Sequence, residues 1–385
     1  MNRMNLYNTF PFEIDHAKGI RVYGRDGREY LDTFSGIGVL ALGHCNPEIN
    51  LAIKSKLDKY SHISNFFGDG DSEKLAGVLL EKTGRNGSVF FTNSGTESVE
   101  AVYKAIKKSM KNANRKRILT FKNGFHGRTL GALSLNGFEY LKHDFMPLFE
   151  GIDTIDFNDS CQLENYFSNY GEDVAAVFIE AVQGSGGVVP ATEEFMNKLN
   201  EFHLQYGFFL VADEIQAGIG RTGKFYSYQN YAVQPDMITL GKAIGGGLPL
   251  GASLFLGETA RIFSPGDHGS TFAPNPVSAA GGLQLVRTVG DLTDEIEKKG
   301  EFLEKLIENS DIKPIRQIRR KGLMLGLEFL TEDMGDFRNH SLDYGLLLNI
   351  VRKNTVRLLP ALNITMSEIE ELVGKLEKSA TNYKF

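Results

Sequence analysis

Several features that would assign this chain to other classes are scarce in it. It has only two cysteines, Cys45 and Cys161, far apart and without a CxxC pair. Neither a disulfide scaffold nor a paired-thiol metal site is expected, and the default role of both is a buried thiol in a reducing compartment. No apolar run approaches the ~20 residues that span a bilayer. Residues 1–16 carry Glu13 and Asp15 and lack the apolar core of a secretory leader. The eight histidines form no HExxH or similarly spaced ligand set, so no metal is expected and His126 and His268 read as structural hydrogen-bonders. There is no excess of positive charge. A net charge of −6 argues against nucleic acid or an anionic membrane as the main partner, while leaving room for a local basic site. Repeats, low-complexity tracts and long linkers are also missing. These exclusions leave a soluble, cytoplasmic chain of 385 residues, longer than a typical single domain, with 42% hydrophobic residues to build a core.

The pattern along the chain is α/β. Residues 20–34 predict a hairpin turning at Asp26-Gly27. Asn46-Pro47 is an N-cap followed by proline at the first helical position, and Ile49, Ile53, Leu57 and Tyr60 mark the apolar face of that helix. The middle alternates short apolar runs (89–91, 118–121, 174–179, 208–212, 237–240 and 252–256) with amphipathic helices such as 98–110 and 193–206. Strands buried on both faces look like this, so a mainly parallel sheet of the seven-stranded type, with helices on both sides, is expected. After about residue 286 the texture changes. A charged helix (291–308) leads to strands at 315–319 and 323–329, a helix near 342–351, a strand at 356–359 and a last helix from Ser367. The expected division is a small α+β domain made of residues 1–45 and 286–385 around a large domain of residues 46–285.

Open parallel sheets bind ligands at the carboxyl ends of their strands, so the polar residues just after each apolar run are the ones to inspect. The run 208–212 ends in Asp213-Glu214. A strand-end acid can simply face water or a helix N-terminus; a buried one needs a cationic partner, such as a protonated ring nitrogen. The run 237–240 ends in Gly241-Lys242, ahead of Gly245-Gly246-Gly247. Most strand-end lysines are solvated, but burial here would lower the pKa and give an amine able to form imines. The segment Asn93-Ser94-Gly95-Thr96-Glu97 runs from strand into helix. Ser94 and Glu97 fit a capping box, and Gly95 and Thr96 would also offer N–H groups to a phosphate. Phe125 could cover a planar ring, and Arg128 could clamp a carboxylate. Residues 218–225 overlap a dinucleotide GxGxxG and a P-loop pattern. Phe225 replaces the magnesium-binding Ser/Thr, and the strand–loop–helix context is wrong for both.

Together these segments resemble the class III, ornithine-aminotransferase-like family of fold-type I pyridoxal-phosphate enzymes over essentially the whole chain. The resemblance rests on ordered matches that include Ser94-Gly95-Thr96-Glu97, Phe125-His126-Gly127-Arg128-Thr129, Asp213-Glu214-Ile215-Gln216, Gly241-Lys242 and Gly269-Ser270-Thr271-Phe272. It implies pyridoxal 5′-phosphate held as a Schiff base on Lys242, with Asp213 as partner of the pyridine nitrogen. Phe125 and Ile215 would sandwich the ring, Gln216 would lie by its hydroxyl, and Glu214 counts among the cofactor-binding residues of the same motif. Gly95 and Thr96 would bind the phosphate, joined by Thr271 of a neighbouring subunit in a homodimer. Arg128 would grip the substrate α-carboxylate, with Ser270 beside the substrate and Arg357 as a second carboxylate clamp.

The implied reaction moves the distal amine of N2-acetyl-L-ornithine to 2-oxoglutarate. Succinylornithine, acetyllysine-type substrates, ornithine or 4-aminobutyrate are the alternatives, followed by an aminomutase and then a nucleotide-binding protein. Two positions depart from the family pattern. The family's Gln-Gly-Glu-x-Gly reads Gln183-Gly184-Ser185-Gly186-Gly187, so the glutamate that pairs with the arginine matching Arg357 is missing. Val99 stands where an asparagine is usual.

Overall fold

The computed structural model describes residues 4–113 and 115–385; the first three residues of the expected N-terminal segment lie outside it. Its centre is a seven-stranded sheet of β1 (Gly87–Thr92), β2 (Arg117–Phe121), β3 (Ile152–Ile155), β4 (Val174–Ile179), β5 (Phe209–Asp213), β6 (Met237–Leu240) and β7 (Gly251–Leu256). The order across the sheet is β1-β7-β6-β5-β4-β2-β3. β7 runs antiparallel to both its neighbours, and the other pairings are parallel. Every residue of β4, β6 and β7 is buried, as expected for strands covered by helices on both faces. β3 escaped the sequence reading because it is a four-residue edge strand, mostly half-buried, with no dense apolar run.

Helix α1 (Gly95–Ala113) follows β1 and packs on β6 and β7. Val99, the departure from the family pattern, is fully buried in the core that α1 shares with the sheet. The helix Pro47–Leu57 starts where expected, with Asn46 accepting from the N–H groups of Glu48 and Ile49. Its predicted apolar face is only partly used: Ile49 is buried, Leu57 is exposed, and Tyr60 lies beyond the helix. Helix Pro276–Gly290 packs against Pro47–Leu57 and Gly70–Glu81 and is buried along most of its length. The division expected at residues 285/286 falls inside it.

The two ends of the chain meet. Strands Ile14–Lys18, Arg21–Gly24 and Glu29–Asp32 form a meander, and Leu346–Leu347 adds to Glu29–Asp32 in parallel. Arg21 also bridges to Glu371 on the final helix, Met366–Thr381, at 2.6 Å. A second sheet joins Ile315–Lys321, Met324–Phe329, Thr355–Leu358 and Asn349–Val351, each antiparallel to the next. The helix expected near 342–351 is not there. A short turn at Ser341–Tyr344 ends at Gly345 in the left-handed region (φ 68°), and the following residues form strands Leu346–Leu347 and Asn349–Val351. Leucines at 346, 347 and 348 are all buried, which a helical reading of the apolar run could not separate from a strand between two sheets.

The cysteine expectation is also corrected. Cys45 and Cys161 are both exposed free thiols, Cys45 in a left-handed turn ahead of a helix and Cys161 in the first turn of Ser160–Tyr170. Among the described residues, no helix is long and apolar enough to cross a membrane.

Candidate active site

The polar residues collected from strand ends converge at the carboxyl edge of the sheet. At the tip of β5, Asp213 is 3% exposed. Its Oδ2 takes a 2.7 Å hydrogen bond from His126 Nδ1, and its Oδ1 accepts from the Ile215 N–H at 3.1 Å. Burial opposes a charge on His126, but the bond to Asp213 and that carboxylate's field outweigh it, so the imidazole pKa is raised. His126 is a buried hydrogen-bonder, as expected, and its partner is the site carboxylate Asp213. His126 is itself fixed by Asn136, whose Oδ1 accepts its backbone N–H at 2.6 Å.

Lys242 follows β6 in a left-handed conformation (φ 48°), uncommon for a residue with a side chain and a sign that the surroundings dictate its direction. Burial and the nearby charge of Arg357 lower its amine to about 8, against the pull of Asp213 and Glu180. Just before it, Gly241 touches the start of α1. A Cβ on Gly241 would stand 2.8 Å from Gly95 Cα, and one on Gly95 would stand 2.8 Å from Ile215 Cδ1. Only glycines allow this helix N-terminus, this strand end and Ile215 to meet.

At that N-terminus the capping box is half made. Ser94 Oγ accepts from the Glu97 N–H at 3.3 Å, while the Glu97 carboxylate reaches one residue further back, to the Asn93 N–H at 2.8 Å. Among the described residues nothing accepts from the backbone N–H groups of Gly95 and Thr96. The Thr96 hydroxyl lies against the loop of residues 127–129, where it accepts weakly from the Arg128 N–H (3.2 Å). Gly127 (φ 147°) makes room for it, since a Cβ there would come within 2.3 Å of Thr96 Oγ1.

A cavity of about 540 Å³ opens above these groups, and Phe125, Arg128, Ser185, Gln216, Lys242 and Arg357 line it. Arg128 is exposed at its rim, its guanidinium 5.4 Å from the Phe125 ring centroid. Arg357 is 3% exposed and bonds to Gln216 and Asn349. Gln216 therefore turns its oxygen to Arg357, which leaves its NH2 for another partner. Ile215 and Phe125 are both half-buried.

Two expected residues are placed elsewhere. Glu214 points away from the cavity: its carboxylate accepts from the Ser227 N–H and hydroxyl (2.6 and 2.8 Å) and from the Tyr228 N–H at 2.9 Å. It anchors the turn Ser227–Asn230 rather than a ligand. Thr271 is exposed and does not line the cavity of its own chain, while Ser270 accepts from Asn93 Nδ2 at 3.0 Å near the same sheet edge.

The glycine-rich loop at 218–225 is packed into the fold through its arginine. Its Arg221 is buried and donates to the carbonyls of Leu323 and Pro360 (3.1 and 2.6 Å), tying the loop to the C-terminal sheet.

Glu180 was missed. It comes directly after β4, as Asp213 ends β5, so the same strand-end rule points to it. It accepts from the Phe125 N–H at 2.9 Å, and burial raises its pKa to about 7 despite the opposing charge of His126.

Residues 4–379 match the family Aminotransferase class-III. The chain is a class-III aminotransferase. The acetylornithine aminotransferase of Aquifex aeolicus is 40% identical over 378 residues, covering 97% of this chain and 98% of the relative. The fold matches the crystal structure of an ornithine aminotransferase from Toxoplasma gondii (27% identity, TM-score 0.93, covering 99% and 92% of the two chains). It also matches an N-acetylornithine aminotransferase from Stenotrophomonas maltophilia (31% identity, TM-score 0.82, covering 96% of each). Another structure of the Toxoplasma protein shows partial occupancy of PLP at its active site.

Class-III aminotransferases work with pyridoxal 5′-phosphate, and the residues present in this aminotransferase fit that group. The fit rests on a buried lysine with a lowered pKa, a buried aspartate with its own histidine, and a glycine cradle beside free helix N–H groups.

Proposed function

We propose that this aminotransferase moves the distal amine of N2-acetyl-L-ornithine to 2-oxoglutarate, giving N-acetyl-L-glutamate 5-semialdehyde and L-glutamate in arginine biosynthesis. The observation that carries the reading is the joining of Lys242, Arg128 and Arg357 in one cavity lined by no carboxylate. That arrangement suits an amine donor with one carboxylate and an acceptor with two. The names of the relatives supply the acyl-ornithine chemistry.

Bound pyridoxal phosphate would supply an electrophilic carbon and a ring that draws electrons from the reacting carbon. Asp213, hydrogen-bonded to His126, would face the pyridine nitrogen and favour a proton there. Phe125 and Ile215 would hold the ring between them, and the Gln216 NH2 would be free to donate to its hydroxyl. Gly95 and Thr96 would hold the phosphate through backbone N–H groups, and Thr271 of a second subunit would join them. The Lys242 amine, lowered to about 8, would carry the cofactor, and its Nζ is suited to accept and return a proton. Arg128 binds the α-carboxylate and so sets the distance to the reacting amine. Arg357 binds the second carboxylate of 2-oxoglutarate. The assembly is a homodimer in the cytoplasm. An exposed apolar face at Phe66, Phe67 and Phe272 supports the dimer.

The test is a screen of donors mixed with the cofactor-loaded enzyme and followed by the cofactor's visible absorbance. N2-acetylornithine is expected to bleach the band fastest. Faster reaction of ornithine, 4-aminobutyrate, acetyllysine or succinylornithine would replace the substrate. Sustained turnover without any keto acid would replace transamination by an intramolecular amine shift. Lys242→Ala is expected to lose at least about 10³-fold in rate; full turnover by that variant would overturn the assignment.

A further inference from the structure

Ser185 stands where the family pattern has a glutamate, so the charge that would balance Arg357 is missing from that side. The guanidinium nevertheless has a fixed direction. Nε donates to Asn349 Oδ1 and Nη1 to Gln216 Oε1, each at 2.9 Å. Both partners are neutral, and no carboxylate pairs with Arg357 among the described residues. Burial lowers its pKa to about 10, only partly offset by the field of Glu180, which does not bond to it.

The two amides have defined roles because a guanidinium only donates, so each must present its oxygen. Gln216 is wedged by the backbone, since a Cβ on Gly184 would fall 1.7 Å from its Oε1. Asn349 sits directly opposite Arg357 in the antiparallel ladder of Asn349–Val351 with Thr355–Leu358. Its reach to Nε is therefore set by strand register and needs no loop movement.

We propose that Asn349 is a positioning residue that takes the place of the missing acid. With Gln216 it aims Arg357 into the cavity and leaves its charge uncompensated. A dicarboxylic acceptor then binds Arg357 without first displacing a carboxylate. The amides meet the guanidinium with neutral oxygens, whereas a carboxylate brings the opposite charge and can accept two parallel N–H bonds, so an arriving carboxylate gains more from Arg357 than the amides do. A donor with a single carboxylate, held by Arg128, does not depend on how Asn349 and Gln216 hold Arg357. The proposal rests on reading 2-oxoglutarate as the acceptor.

The experiment compares wild type with Asn349→Asp, which restores a charge at Nε with little change of shape, and Asn349→Ala, which removes the hold. Binding of glutarate, an unreactive dicarboxylate, to the cofactor-loaded enzyme is measured by calorimetry, alongside both half-reactions and the melting temperature. For Asn349→Asp the glutarate Kd is expected to rise about tenfold or more. KM for 2-oxoglutarate should rise in step, with kcat within about twofold and the N2-acetylornithine half-reaction unchanged. Asn349→Ala should weaken glutarate in the same direction, and it carries the test alone if the aspartate variant does not fold. Unchanged glutarate affinity, or a parallel loss in both half-reactions, overturns the proposal. If wild type ignores N2-acetylornithine, the substrate assignment fails, while the glutarate titration still decides the role of Asn349.

Discussion

Asp213, Glu180 and Glu214 are three buried carboxyls at strand ends with three different uses, and partners decide which use each has. Asp213 has a histidine and the Ile215 N–H; Glu214 has three donors on a turn; Glu180 has one N–H and little else. Burial raises both Glu180 and Glu214 to about 7 from an ordinary value near 4.5. The folded cofactor-free protein therefore binds more protons than the unfolded chain across that window. This contribution to stability is full below about pH 4.5 and is lost as pH rises through 7. The urea midpoint should fall between pH 5 and pH 7.5, and Glu214→Gln should flatten the slope. Lys242 acts in the opposite sense and higher up: its lowered pKa makes stability rise from about pH 8 towards 10.5.

A second residue-scale prediction concerns Ser185. Ser185→Glu should sharpen discrimination between ω-amines and L-glutamate in the first half-reaction by about tenfold, read from the two bleaching rates. At this scale the sequence carried Lys242, Asp213 and Arg128 because a polar residue after an apolar run is visible without a structure. It did not carry Asn349, which reaches Arg357 only through strand register in a segment whose leucines also fit a helix.

Elements meet at the site through glycine. The start of α1, the end of β6 and Ile215 converge on Gly95 and Gly241, with no space for a methyl group at either. Gly241 has extended backbone (φ −170°), so alanine there is excluded by contact and not by conformation. Gly241→Ala should push α1 away from Lys242, weaken retention of pyridoxal phosphate by about tenfold or more, and lower the melting temperature by several degrees. Cofactor release after gel filtration and a thermal scan would measure both. The sequence showed both glycines and the elements that flank them. The contact itself was not legible, because it depends on where β1 and β6 lie in the sheet. β7 stands between them, and its antiparallel direction has no signature in a uniformly apolar run. The edge strand β3 was lost for the converse reason, having too few buried residues to show.

At the scale of the whole molecule, the fold leaves large aromatic side chains uncovered on the side that carries Thr271. Phe66, Phe67 and Phe272 are 93%, 71% and 63% exposed. They belong to one surface: Asn65 donates to the Ser270 carbonyl at 2.6 Å, and His62 lies 5.7 Å from the Phe272 ring. An isolated exposed phenylalanine needs no explanation, but adjacent ones on one face mark an interaction surface. Covering each ring contributes about 2 kcal/mol or more, and the same contact would carry Thr271 to a neighbouring site. On the proposed dimer, oligomeric state and cofactor retention would therefore be coupled. Changing Phe66 and Phe67 together to Asp should raise the dimer dissociation constant at least about a hundredfold, and the resulting monomer should lose pyridoxal phosphate on dilution. Thr271→Ala should weaken cofactor retention while leaving the dimer intact. Light scattering together with the visible absorbance separates the two effects, and a Phe66/Phe67 variant that stays dimeric would move the interface to another face.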